Sequence, residues 1–258
     1  MNWRFIEIKK LDPLMAIAFE EVGLKYVQKT NVPLIRFWRW NRKAVSIGRF
    51  QVLEDEINIE RCREHKITML RRMSGGGAVF SSPGEITYSV IAPYKIIPKD
   101  IKKSYFQIFS WIIDGLYNMG ITSDIESPSS IMVNGKKISG NSKLNAVNAS
   151  IQHGTILYDV NENEVFSYLT VEKSGFSGGV KSIYRPITCI KDYLDISYFD
   201  SYNIIKNAFL KNKEFEINEW TSEEVKMAKE LVKNKYKKNE WIFNQEVSSK
   251  DSQDTESM

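Results

Sequence analysis

Apolar side chains near the start of the chain return at the spacing of one helix face: Met15, Ala18, Phe19, Val22 and Tyr26 stand at i, i+3, i+4, i+7 and i+11. Asp12 and Pro13, just ahead of them, supply an N-cap and a first helical residue with no N–H to satisfy. The same period returns at Tyr105, Ile108, Phe109, Ile112 and Leu116, with Gly120 as terminator, and more weakly at Ile204, Ile205, Ala208 and Phe209. These patterns predict helices that cover one sheet. Between the first two lie short β-prone runs at Leu34 to Trp40, Ala44 to Ile47, Ile67 to Arg71, Ala78 to Phe80 and Ile86 to Ile91, and a strand candidate at Arg4 to Ile8 precedes them. Further strands are expected at Ile131 to Val133, Lys136 to Ile138 and Ser150 to Tyr158. Runs of strands with helices at long intervals predict an α+β fold with a mixed, mostly antiparallel central sheet.

Toward the end, Val225, Ala228, Val232 and Tyr236 form one stripe among Lys226, Lys229, Lys233, Lys235, Lys237 and Lys238, which predicts a surface helix over 222–239. Residues 244–258 are polar and cannot offset their ordering entropy by burial, so a disordered tail is expected after a single domain spanning 1–243.

Composition narrows the function classes. Apolar residues make up 42% of 258, enough for a substantial core in one mixed domain. A net charge of +4, with acidic and basic residues interspersed, lacks the basic arm that nucleic acid would demand and suits an acidic protein partner instead. Cys62 and Cys189 are far apart and His65 and His153 are the two histidines, so zinc-type ligand spacing is absent and no metal ligand is assigned. The start has no apolar leader core, and no run approaches the ~18 apolar residues of a membrane span. A soluble, cytoplasmic protein is expected.

Three segments could carry chemistry. In Arg71-Arg72-Met73-Ser74-Gly75-Gly76-Gly77-Ala78, a strand delivers two arginines into three consecutive glycines. Such a loop permits positive φ or close backbone approach, and its N–H groups with a guanidinium can cradle an anion. A tight turn with a solvated arginine pair is the other reading, and physics alone leaves both open. The ending of a P-loop and the spacing of a dinucleotide loop are both missing.

The second segment centres on Asn134-Gly135, a strong hairpin signal between β-prone runs. A two-residue turn pairs Val133 with Lys136, Met132 with Lys137 and Ile131 with Ile138, which places Lys137 on the ribbon face opposite Lys136 and Ile138. A lysine aimed into a pocket and a solvated hairpin tip are the two readings. In the third segment, Gln152-His153-Gly154-Thr155-Ile156-Leu157, a glycine inside a strand suggests a bulge or close approach by a ligand. His153 is either a donor to a bound group or a satisfied core histidine, and His65 reads as an ordinary surface residue.

In this order and at these distances, Arg-Arg-Met-Ser-Gly-Gly-Gly-Ala-Val-Phe, Gly-Lys-Lys-Ile-Ser-Gly and His-Gly-Thr-Ile-Leu resemble the lipoate-protein ligase and octanoyltransferase family, related to biotin protein ligases. The resemblance runs from about residue 4 to 243 and implies the class II synthetase-like fold of that superfamily. It implies Lys137 as the catalytic lysine. It also implies an acyl-adenylate site built from Arg71, Ser74, Gly75, Gly76, Gly77 and Ala78, with Ser139, Gly140, His153 and Gly154 on the nucleotide side.

The implied activity is an ATP-dependent ligase that converts lipoate to lipoyl-AMP with Mg2+ and transfers the lipoyl group to a lysine of an acceptor lipoyl domain or H-protein type carrier. A small accessory ligase domain supplied in trans would stand in for the extra C-terminal domain of many bacterial ligases. An ATP-independent octanoyl or lipoyl transferase between carriers, and a non-catalytic lipoyl-binding module, are the alternatives. The family's transferases use a cysteine shortly before the lysine hairpin, where this chain reads Ser127-Pro128-Ser129-Ser130, and that argues for the ligase. Ser81-Ser82 and Gly84-Glu85 replace the family's usual His-Asp and Gly-Asn, which bears on nucleotide contacts.

Overall fold

The computed structural model describes residues 2–127, 129–171 and 181–243, with the side chain of Ser127 left aside. The expected tail at 244–258 lies outside the described residues. In chain order the elements are β1 (Trp3–Leu11), α1 (Pro13–Thr30), β2 (Leu34–Trp40), β3 (Ala44–Ile47), α2 (Leu53–Glu56), α3 (Ile59–Glu64), β4 (Thr68–Arg71), β5 (Val79–Ser81) and β6 (Glu85–Pro93). Then follow α4 (Ile101–Asn118), β7 (Asp124–Ser127), β8 (Ser130–Val133), β9 (Lys136–Asn145), β10 (Ala149–Leu157), α5 (Glu162–Tyr168), α6 (Tyr198–Leu210), β11 (Phe215–Asn218), α7 (Ser222–Leu231) and α8 (Asn239–Phe243).

Helix starts follow the sequence signals. Asp12 accepts from Leu14 N at 3.0 Å with Pro13 behind it, and Asp100 accepts from Lys103 N at 2.8 Å to open α4. Gly120 takes φ +83° just past α4, a left-handed stop that suits glycine.

An eight-stranded sheet in the order β11-β1-β2-β6-β10-β9-β8-β7 forms the centre, beside a three-stranded sheet β4-β3-β5. Within the large sheet only the β1 pairings, with β2 and β11, are parallel, so the sheet is mixed and mostly antiparallel as expected. Alternation along β6 decides what each face meets. Ile86, Tyr88 and Val90 join Phe5, Phe37, Ile108, Ile112 and Phe209 in a core beneath α4 and α6. The opposite face carries Glu85, Thr87 and Ser89 toward α1 and the small sheet.

One expectation needs correction. The Asn134-Gly135 turn has φ +50° and +73°, and Val133 and Met132 pair with Lys136 and Lys137, but Ile131 pairs with Ser139 instead of Ile138. A bulge inserts Ile138 and keeps its side chain fully buried under α4, while Lys137 faces the other way. The helix expected over 222–239 is present from Ser222 to Tyr236 and changes pitch on the way. After α7 the chain opens into a wider turn at Val232–Tyr236 and re-forms as α8, because Tyr236 and Trp241 turn inward and are buried. Among the described residues no helix is long and apolar enough to cross a membrane.

Candidate active site

The face of the sheet away from α4 floors a cavity of about 580 Å³. Register lines its side chains up in rows across the strands. Trp38, Thr87, Thr155, Gly140 and Ser130 stand opposite one another from β2 to β8. Arg36, Ser89, His153 and Ser142 form a second row, and Glu85 and Leu157 belong to a third. The roof is α1 with Ile17 and Glu20, the glycine loop with β5, and α5 with Val165 and Phe166, together with Lys181, Ser182, Ile183, Arg185 and Ile187.

The glycine loop is held close by the residues around it. Gly48 leaves room for the loop, since a Cβ there would lie 2.1 Å from Gly76 O, and Gly76 adopts φ +88°. Arg72 donates through Nη2 to Gly75 O and Gly77 O, both at 2.7 Å, and through Nη1 to Ser46. Ser142 Oγ donates to Gly75 O at 2.9 Å, and Ala78 N donates to Ser182 Oγ at 2.7 Å. Glu56, buried beneath, accepts from Ser182 through both its N–H and its hydroxyl.

Arg71 takes a different part. Its guanidinium donates to the carbonyls of Gly48, Arg49, Gln51, Trp241 and Ile242, and Trp241 Nε1 returns a bond to Arg71 O at 2.9 Å. It ties β4 to α8 and lies outside the cavity lining, where Arg72 stands instead. The two arginines point to opposite sides because they are successive residues leaving a strand.

His153 lines the cavity with both ring nitrogens engaged. Nδ1 lies 2.7 Å from Glu20 Oε1, and Nε2 lies 2.6 Å from Ser74 Oγ. Glu20 is fully enclosed in α1 and also accepts from Ser89 Oγ at 2.7 Å. Burial would raise its carboxyl, but His153, Arg36 and Ser89 outweigh that and hold it below the usual range. Glu20 therefore stays a carboxylate and fixes the imidazole, which in turn fixes Ser74 at the head of the glycine loop.

Lys137 is clamped at its backbone, donating to Pro186 O at 2.8 Å and accepting from Thr188 N at 3.0 Å. Its side chain runs over Gly140, where a Cβ would lie 2.6 Å from both Cε and Nζ. Burial, then the guanidiniums of Arg185 and Arg72, bring its ammonium down to about 8. No carboxylate pairs with it among the described residues.

Across the floor, Glu85 is enclosed and burial pushes its carboxyl up to about 8. Oε1 accepts from Ser82 N at 3.1 Å. The side chains of Ser81 and Trp40 are near enough to favour the ionised form, yet Glu85 Oε2 and Trp40 Nε1 make no bond of hydrogen-bond geometry. Trp38 Nε1 and Thr87 Oγ1 beside them are equally unpartnered. The apolar part of the lining gathers elsewhere, at Val160, Val165, Phe166, Leu169, Ile183 and Ile187.

Of the residues singled out from sequence, Lys137, Gly76, Gly77, Ala78, Gly140, His153 and Gly154 line this cavity. Ser74, Gly75 and Ser139 support it from behind, Ser139 by accepting from Asn141 Nδ2 at 3.1 Å. Gly154 continues the strand ladder without a bulge. Its missing side chain makes room for Asn141, whose Oδ1 would lie 2.1 Å from a Cβ there and accepts from Tyr88 on the helix-covered face. His65 is less ordinary than expected, with Nδ1 2.7 Å from Tyr168 Oη on α5. Sequence reasoning gave no site role to Glu20, Trp38, Ser130 and Ser182, although Glu20 stands one helical step from Phe19 on a buried stripe, a place where a carboxylate signals a partner.

A family described as Lipoyl protein ligase A/B catalytic domain matches residues 12–210. The chain is 27% identical to octanoyltransferase LipM of Staphylococcus aureus over 94% of this chain and 98% of the relative, and 28% identical to octanoyltransferase LipM of Geobacillus kaustophilus over 93% and 98%. Among solved structures, a bi-partite lipoate protein ligase from Thermoplasma acidophilum superposes with a TM-score of 0.83 at 22% identity, covering 95% of this chain and 97% of that one, which speaks for the fold. These findings correct the expected activity. Relatives that match along nearly the whole chain are octanoyltransferases, so the ATP-dependent, AMP-forming ligase is set aside. The expected ATP and Mg2+ find support in solved ligases of this fold, one of them bound with ATP, and not in these relatives.

Proposed function

The chain belongs to the lipoyl protein ligase A/B catalytic domain family, and on that premise we propose that it is an octanoyltransferase moving the acyl group from a thioester on one carrier protein to a lysine amine on another, without ATP. The end-to-end match to octanoyltransferases carries this reading. The cavity suits it. An apolar end at Val165, Phe166, Leu169 and Ile183 fits an alkyl chain, and Lys137 stands at its edge through the bridge to Ile187.

Overall the transfer exchanges a C–S bond for a C–N bond: thioester and amine give amide and thiol. A lysine with a pKa of about 8 suits both directions of proton movement, accepting a proton when neutral and donating one to the departing thiolate when charged. Arg72 and the Gly76-Gly77 backbone border the same space and favour negative charge developing on the carbonyl oxygen.

The test follows the mass of a lipoyl-domain acceptor incubated with the protein and an octanoyl-thioester carrier, with no ATP present. A gain of one octanoyl group is expected. Modification only with free octanoate, ATP and Mg2+ would sink the reading.

A further inference from the structure

Acyl transfer between two carriers is easiest when the protein itself holds the acyl group between the departure of one and the arrival of the other. Both thiols are unsuited to that. Cys62 and Cys189 are buried, and burial pushes them up to about 11 and about 12, away from the cavity lining. Ser74 has a base beside it but lies outside the lining, its hydroxyl turned to His153 behind the glycine loop.

Ser130 meets the geometric requirements. On β8, Ile131 is fully buried in the core under α4, so by alternation Ser130 faces the cavity, which it lines. Ser130 stands directly opposite Gly140 on β9. Gly140 has no side chain, and the space its Cβ would fill is taken by Lys137, with Cε and Nζ 2.6 Å from that point. Side chains of directly opposed residues start about 4.5–5.5 Å apart. The lysine amine therefore fills the Gly140 place in the row of side chains that Ser130 belongs to, and the Ser130 hydroxyl makes no hydrogen bond, to Lys137 or to any other residue, among the described residues.

We propose that Ser130 is the acyl acceptor of this protein, its Oγ taking the octanoyl group as an ester with Lys137 as the proton acceptor. The assignment rests on the transferase reading above. In the first half, neutral Lys137 removes the Ser130 proton as the Oγ–C bond forms and the C–S bond of the donor breaks, and the same proton passes to the leaving thiolate. In the second half, the acceptor's lysine amine attacks the ester carbonyl, the C–N bond forms, the C–Oγ bond breaks, and the amine proton returns to Ser130 Oγ through Lys137. The burial and the two guanidiniums that disfavour the ammonium are what make Lys137 a base near neutral pH.

The experiment uses the full chain, octanoyl-N-acetylcysteamine as donor and no acceptor, followed by intact-mass measurement and peptide mapping. Wild type is expected to gain one octanoyl group on the peptide carrying Ser130. Ser130→Ala should lose both the label and at least a hundredfold of the transfer rate. Ser130→Cys should regain the label as a thioester that neutral hydroxylamine releases far faster than the wild-type ester, a change that a packing role would not produce. Transfer by Ser130→Ala at the wild-type rate, or a label mapped to another residue, would overturn the assignment while leaving the transferase reading intact. Absence of transfer by wild type from any octanoyl thioester to an acceptor would remove the transferase reading itself.

Discussion

The two faces of the central sheet are built from alternate residues of the same strands and are opposite in character. Under α4 and α6, Phe37, Tyr88 and Phe209 interlock at ring distances of 4.9–6.5 Å, and the few polar groups that enter are mostly paired, Tyr88 with Asn141 and Ser104 with Gln152 Oε1, while Gln152 Nε2 and Ser150 Oγ are without partners. On the cavity face, Lys137 has no counter-ion among the described residues, Glu85 is an enclosed acid, and Trp38, Trp40 and Thr87 hold polar atoms without partners. One face supplies stability. The other forgoes some of it for chemistry, since each unpartnered buried polar atom costs about 1–3 kcal/mol.

That contrast can be broken at named positions. The largest effect is expected for Lys137→Ala, which should lower transfer by about 10²–10⁴-fold while leaving the melting temperature at or above wild type. A neutral amine as the working form also sets a sign for the pH profile. Transfer should rise with pH and level off near 8, because Arg185, Arg72 and burial bring the ammonium down to that value. A rate that falls through this range would reverse the assignment of the working form.

On the opposite face, Phe209→Ala should cost about 3–5 kcal/mol in denaturant unfolding while the folded fraction keeps its turnover. Glu85→Gln tests the cavity face for stability. The folded carboxyl titrates near 8 and the unfolded one near the ordinary carboxylate value, so the wild type loses stability as pH rises between them. The glutamine variant should match wild type near pH 4 and exceed it by up to about 3 kcal/mol near pH 7. An equal difference at both pH values would show that Glu85 does not titrate this way. The smallest effect is expected for Gly154→Ala. Its Cβ would push on Asn141 Oδ1 and cost on the order of 1–3 kcal/mol, seen as a lower melting temperature.

Local signals proved readable where a single segment sets the outcome. The Asp12-Pro13 start, the stripe on α4 and the Asn134-Gly135 turn depend on neighbours within a few residues, and each is found where the pattern puts it. The register beyond the turn was not readable, since the bulge at Ile138 exists to bury that side chain under a helix that begins at Ile101. Arg71 and Arg72 look alike in a string, and which one reaches the cavity is decided by Trp241 and Ile242, some 170 positions away. Which serine of Ser127, Ser129 and Ser130 matters was unreadable for the same reason. The importance of Ser130 depends on Gly140 standing opposite and on Lys137 bending over that glycine.

The bonds from Arg71 to the carbonyls of Trp241 and Ile242 have a consequence in time. During synthesis, β4 and the glycine loop leave the ribosome long before α8 does, so the guanidinium must wait for most of the chain before two of its five acceptors exist. Until then a buried cation is only partly satisfied and the loop it anchors has no fixed seat. The seating of β4 beside the cavity is thereby tied to the arrival of α8.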